Sequence, residues 1–285
     1  MTDHDLLVTG ADVEGPILVG RDLSTGGILN FPDPKPVIPL PIPIAGYGEV
    51  NVFRNVLAGT NAIVEGSVTL IGGANHGMFS NTGAGSVLAG YTFPGSGPGN
   101  AGTFATDIWA QVTGFSATLT AKQANSVFTA ATGVFAASAV NGVAVWDINA
   151  AELGSKSLSF TGLASNDVGI VNVNGDLKSS AALFSDATEL PNVIFNFGNA
   201  TNVALGGGFW DASILAPNAT VTSSVDVAGT VVADIYAASA ETHASGFTCG
   251  ANICDAPVRV PEPGSLSVLG GALVALAAIH RRRRT

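Results

Sequence analysis

Short apolar runs rich in Val, Ile, Leu and Ala recur along most of the chain, and glycine punctuates them. Five times a β-branched residue, any residue and Gly precede such a run. The five are Val13-Glu14-Gly15, Val64-Glu65-Gly66, Val140-Asn141-Gly142, Val173-Asn174-Gly175 and Val227-Ala228-Gly229. Glycine supplies the turn conformation and the β-branched run supplies the strand. Ser213-Ile214-Leu215-Ala216 recurs as Thr230-Val231-Val232-Ala233, seventeen residues on. That period suits one coil of a β-solenoid, whose coils stack over a continuous apolar interior. A β-sandwich also repeats strands at such intervals. The reading adopted is mainly β: a β-solenoid of the right-handed β-helix type.

One segment changes period. Phe104, Ile108, Val112, Phe115 and Leu119 are spaced 4, 4, 3 and 4, which makes one apolar stripe. The spacing predicts an amphipathic α-helix over residues 103–123, packed alongside the β body. Thr103 is its expected N-cap, and Asp107 is placed near the positive end of the helix. Gly114 weakens it by up to ~1 kcal/mol. Six prolines between 32 and 43 predict polyproline II or an edge excursion. Residues 72–102, rich in Gly, Asn and Ser, predict a long surface loop.

Composition narrows the field. The chain has 285 residues, only 11% of them charged, and 36 glycines. Intrinsic disorder needs more charge and fewer apolar residues. A formal charge of −10 argues against nucleic acid as a partner. Lysine occurs only at 35, 122, 156 and 178. The charge is also uneven, since four of the eleven basic residues are Arg281, Arg282, Arg283 and Arg284.

Those arginines end a tripartite tail. Val260-Pro261-Glu262-Pro263 comes first, then residues 264–279 without a charge, then His280 and the basic run. Sixteen helical residues rise roughly 24 Å, close to the hydrocarbon thickness. Extension through His280, with arginines reaching the interface, predicts a transmembrane helix over 264–280 and a cytoplasmic basic anchor. The tail resembles the PEP-CTERM sorting signal of Gram-negative bacteria. That resemblance implies an exosortase as partner, processing near Pro261, Glu262 and Pro263. It also implies transient inner-membrane anchoring and a final place on the cell surface or in the extracellular matrix. Export needs a leader, whereas Met1-Thr2-Asp3-His4-Asp5 has no basic region and Leu6-Leu7-Val8 is a short apolar stretch. The expectation is a start codon assigned too far downstream. The organisation expected is a β domain over 1–250, a linker over 251–259 and the sorting signal over 260–285.

A second resemblance covers the body. Asp12-Val13-Glu14-Gly15, Phe195-Asn196-Phe197, the run from Ala212 to Thr220, Glu241-Thr242-His243 and Phe247 resemble the choice-of-anchor A family. The family looks adhesin-like. Its C-terminal strands are similar to those of the β-solenoid ice-binding proteins, which also carry a helix beside the coil. Phe195 stands where that family usually has Trp.

No catalytic set emerges. H-E-x-x-H, G-x-S-x-G and P-loop patterns are missing from the sequence. Glu241 and His243 can face the same side of a strand and are read as a structural pair. Asp167, Asp176 and Asp186 are read as a solvated face. No cofactor and no metal are expected. Cys249 and Cys254, the only cysteines, are expected to form a disulfide worth roughly 2 kcal/mol. Ice binding needs regular threonine rows, and the candidates are Thr118-Leu119-Thr120 and Thr220-Val221-Thr222. The functional expectation is a non-enzymatic, exported, adhesin-like surface protein. The alternative is a biofilm component that binds exopolysaccharide or matrix.

Overall fold

Strands that are two to eleven residues long pair almost entirely in parallel, each with a strand from another pass of the chain. Short β-branched runs separated by glycine turns cannot form long hairpins, but they can stack in register. The computed structural model describes 109–154, 157–178 and 192–243 with their side chains. It does the same for Thr2, residues 6–9, Val13, Leu190, Phe247 and Ile253; residues 101–108 and the other short strands are described as backbone elements. The chain splits into two units, Met1–Cys254 and Asp255–Thr285, and every described element belongs to the first.

Among the described residues the largest sheet has nine strands. Its order is Val143–Asn149, Val168–Asn174, Val193–Asn196, Ser213–Ser223, Val231–Ala238, Leu6–Val8, Asp22–Thr25 and Asn55–Ala58. Asn202–Leu205 joins it on Ser213–Ser223. A six-stranded sheet runs Ser80–Asn81, Ile63–Val64, Ile28–Asn30, Asp12–Glu14, Thr242–His243, Val227–Ala228. In both sheets the start of the chain lies in the middle of the order, between its C-terminal strands and its residues 22–81. The seventeen-residue recurrence is real register: Ile214, Leu215 and Ala216 pair with Val231, Val232 and Ala233.

The helix α1 spans Ala101–Thr120. It begins before the expected start, so Thr103 and Asp107 lie inside it, and Thr103 is not the N-cap. Val112, Phe115 and Leu119 are buried as the stripe requires. They pack on Val145, Val168, Ile170, Ile194, Leu215 and Val232, a cluster that also holds Phe247. Each fully buried apolar side chain of this size contributes about 1.5–3 kcal/mol. The alternate residues of the same strands point the other way. Trp146, Val171, Phe195 and Ile214 join a second cluster with Phe135 and Trp210. Strand Val168–Asn174 is therefore buried on both sides, which accounts for its nearly unbroken apolar run. Phe195 sits edge-to-face with Trp210 at 5.0 Å, a core place for an aromatic ring.

An antiparallel hairpin, Val127–Thr129 with Val134–Ala136, flanks this core. Its Phe128 stacks on Phe135, which stacks in turn on Phe160, and Trp146 Nε1 donates to the carbonyls of Val127 and Ala136. A second helix, α2, covers Ala150–Leu153. Gly142 and Gly175 hold φ of +76° and +89° at the turns where the glycine motif places them.

The expected loop over 72–102 contains two strands, Ser80–Asn81 and Val87–Ala89, and α1 begins inside it. Ser80–Asn81 is polar and Val87–Ala89 is only three residues long, too little to stand out from a Gly-rich stretch; parallel neighbours supply the pairing. The prolines of 32–43, His76, the pair Cys249 and Cys254, and the whole tail from Val260 to Arg284 lie outside the described residues. Among the described residues no helix is long and apolar enough to cross a membrane.

Candidate binding face

Helix α1 covers the first halves of Ser213–Ser223 and Val231–Ala238, through Leu215 and Val232. The second halves of these strands have no such cover among the described residues. They pair with Asn202–Leu205 on one side and Leu6–Val8 on the other. Val203, Val221, Tyr236 and Leu6 are in register and buried, and so are Leu205, Ser223, Ala238 and Val8. Strand alternation then turns the intervening residues outward.

These outward residues form columns across the strands. Ala204, Thr222, Ala237 and Leu7 are paired in one line. Lys178 extends it, because the bridge of Leu177 to Val203 sets the following residue beside Ala204. Five strands at about 4.8 Å make a column of about 19 Å. Asn202, Thr220 and Ile235 form a second column. Ser224, Ser239 and Thr9 form a third, one step beyond the buried row. Lys178, the first column beyond it and this third line surround an open hollow of about 520 Å³.

The third column has an orderly hydrogen-bond pattern. Ser224 Oγ donates to the carbonyl of Leu205 at 3.3 Å, Ser239 Oγ to Ser223 at 3.2 Å, and Thr9 Oγ1 to Ala238 at 3.4 Å. Each hydroxyl spends its proton on the neighbouring strand and leaves lone pairs outward. At the start of the second column, Asp176 accepts the backbone N–H of Thr201 at 2.8 Å and of Asn202 at 3.1 Å. These backbone donors, Thr201 first, hold its carboxyl below the usual range. Asp176 therefore fastens one strand connection to the next, a more specific role than a solvated acid. Asp167 instead closes its own turn, its Oδ2 accepting the N–H of Ala164 at 3.0 Å. Asp186 lies outside the described residues.

Glu241 and His243 do meet, at 3.7 Å, on the six-stranded sheet. The imidazole also stacks on Phe209 with centroids 5.7 Å apart, and Asp226 Oδ1 accepts the N–H of Glu241. Among the described residues no group of three or more His, Cys, Asp or Glu side chains could hold a metal ion. Of the two threonine pairs, Thr118 and Thr120 are on α1, where both hydroxyls bond the preceding turn. Thr220 and Thr222 do lie on the exposed face, but beside Asn202, Ala204, Ile235 and Ala237. The sequence offered no sign of Leu7, Thr9 or Lys178 as their neighbours. The reason is a register shift: Ala216 pairs 17 residues ahead, with Ala233, whereas Thr220 pairs 15 ahead, with Ile235.

Residues 1–244 match the sequence family described as an ice-binding-like adhesive domain. No curated protein and no solved structure matches the chain.

Proposed function

Since the chain belongs to the ice-binding-like adhesive domain family, we propose that it is an adhesin-like surface protein that binds through the uncovered columns around Thr222 and Ala237. The observation that carries this reading is the face itself. It is an ordered, charge-poor array of methyl and hydroxyl groups about five strands wide, while the equivalent surface of the first halves is buried under α1. The body is read as a right-handed β-solenoid, a reading supported by the parallel in-register ladders that run through strands distant in sequence. It acts by recognition and not by catalysis; turnover of a polysaccharide by the purified chain would overturn that.

The test is attachment. Beads coated with the full chain are expected to adhere to bacterial cell surfaces. Thr222→Glu with Ala237→Glu should lower adhesion at least tenfold without changing the unfolding curve. Unchanged adhesion removes the face from the function.

Retention of exopolysaccharide is the second reading, favoured by the row of outward lone pairs on Ser224, Ser239 and Thr9. Ice binding is disfavoured by the mixed columns, because threonine rows do not continue from strand to strand; thermal hysteresis checks it. Sorting is proposed to depend on the tail. Exosortase would process it near Pro261, Glu262 and Pro263, after membrane insertion of 264–280 with Arg281 to Arg284 inside. Residues 251–285 fused to an exported reporter should be cleaved only in a host with the exosortase.

A further inference from the structure

Among the described residues the hollow is lined by one charged side chain, and its position points to a ligand. Lys178 heads the column Ala204, Thr222, Ala237, Leu7 and lines the hollow with Ser224, Ser239 and Thr9. It is the one basic side chain among the described residues on this face, in a chain of formal charge −10 with four lysines. Asp176, two residues before it, accepts from the N–H groups of Thr201 and Asn202 and from Thr201 Oγ1, and it also feels the charge of Lys178. Among the described residues no carboxylate forms a close ion pair with Lys178, so its ammonium can meet a bound anion.

Resting on the proposed binding face, we infer that the hollow takes a strand of uronate-bearing polysaccharide, with the Lys178 ammonium on a carboxylate. Three chemistries converge there. Ala204, Ala237, Leu7 and the Thr222 methyl form a low floor that suits the C–H face of a pyranose ring. The hydroxyls of Ser224, Ser239 and Thr9 have given their protons to backbone carbonyls, so they receive hydrogen bonds. A ligand rich in O–H donors fits that row. The ammonium adds a charge-assisted bond for an acidic substituent. An acidic polypeptide would also satisfy Lys178, but it offers one backbone N–H per residue where a sugar ring offers several O–H donors, so polyglutamate is the control.

The experiment uses the full chain with three polymers: alginate, neutral dextran and polyglutamate. Alginate should bind at moderate salt, where the long-range repulsion between the −10 chain and the polymer is screened and the close Lys178 contact is screened less. Lys178→Ala should weaken alginate binding at least tenfold, Lys178→Arg should retain most of it, and dextran binding should be the same in all three proteins. Lys178→Ala binding alginate like the parent overturns the proposal, as does polyglutamate binding as tightly as alginate or alginate not binding at all. The two readings fail separately. If Thr222→Glu with Ala237→Glu abolishes cell attachment while Lys178→Ala leaves alginate binding intact, the face stands and the uronate assignment falls. If the double variant leaves attachment intact, the face itself falls.

Discussion

Asn196 donates its Nδ2 to Oδ1 of Asn172 at 2.9 Å, joining two adjacent parallel strands beneath α1. The same amide donates to the carbonyl of Ser116 and to Thr120 Oγ1, and its oxygen accepts from Ser116 Oγ at 2.6 Å. Asn172 in turn donates to the carbonyl of Leu119 and to Asp147. Two asparagines thus fix the helix to the sheet where the apolar stripe ends. Asn196→Leu leaves buried partners without bonds and should cost about 2–4 kcal/mol. Urea unfolding checks this, and loss of α1 protection in hydrogen exchange should accompany it.

Leu6 pairs with Tyr236, a strand neighbour 230 positions later in the chain. Both are buried, so the first strand joins residues 231–238 to the strands Asp22–Thr25 and Asn55–Ala58. Leu6→Ala should destabilise the β body by about 2–5 kcal/mol. Leu7→Ala, at an outward position, should cost far less. Equal losses in a denaturant series would contradict the register.

Two glycines should respond with opposite signs. A Cβ at Gly229 would lie 2.6 Å from the carbonyl oxygen of Ala212, a backbone atom that cannot yield cheaply. Gly229→Ala should cost about 1–3 kcal/mol or more. A Cβ at Gly114 meets nothing within 4 Å, and the site is on α1. Gly114→Ala should stabilise by up to about 1 kcal/mol. Thermal melts of both variants give the comparison.

Stability should fall at both extremes of pH, through two identified groups. The folded-state pKa of Asp176 is lowered, so its contribution is present above the unfolded value of 3.8 and disappears as pH drops through the folded one. Asp176→Asn should be less stable than the parent at pH 7, and the two should converge in acid. Burial pushes Tyr236 from 10.0 up to about 12. Its contribution is full below pH 10 and is lost as pH rises toward the folded value, at about 1.4 kcal/mol per pH unit. Tyr236→Phe should remove that alkaline slope at the expense of the 2.8 Å bond to Thr242. Urea midpoints across pH test both arms.

Much of the local structure was legible beforehand. Val112, Phe115 and Leu119 signalled the helix because a 3.6-residue period needs only neighbouring positions. The match of Ile214 with Val231 was legible because the two passes there have equal length. The strands at Ser80–Asn81 and Val87–Ala89 were not, because their partners are other passes and the strands themselves are only two and three residues long. Residues 6–8 read as a short apolar stretch near the chain start. Nothing local says that they pair between residues 231–238 and residues 22–25.

By itself the sequence determined the alternation of strand and glycine turn, the stripe of α1 and the poverty of charge. It also marked Thr220 and Thr222 as hydroxyls worth locating. Tertiary structure alone decided that Lys178, Ala204, Thr222, Ala237 and Leu7 share one line. Strand pairing is non-local, and Ser213–Ser223 holds two extra residues between Ala216 and Thr220 relative to Val231–Ala238. That shift changes which side chains align without leaving a mark in the local pattern of polar and apolar positions.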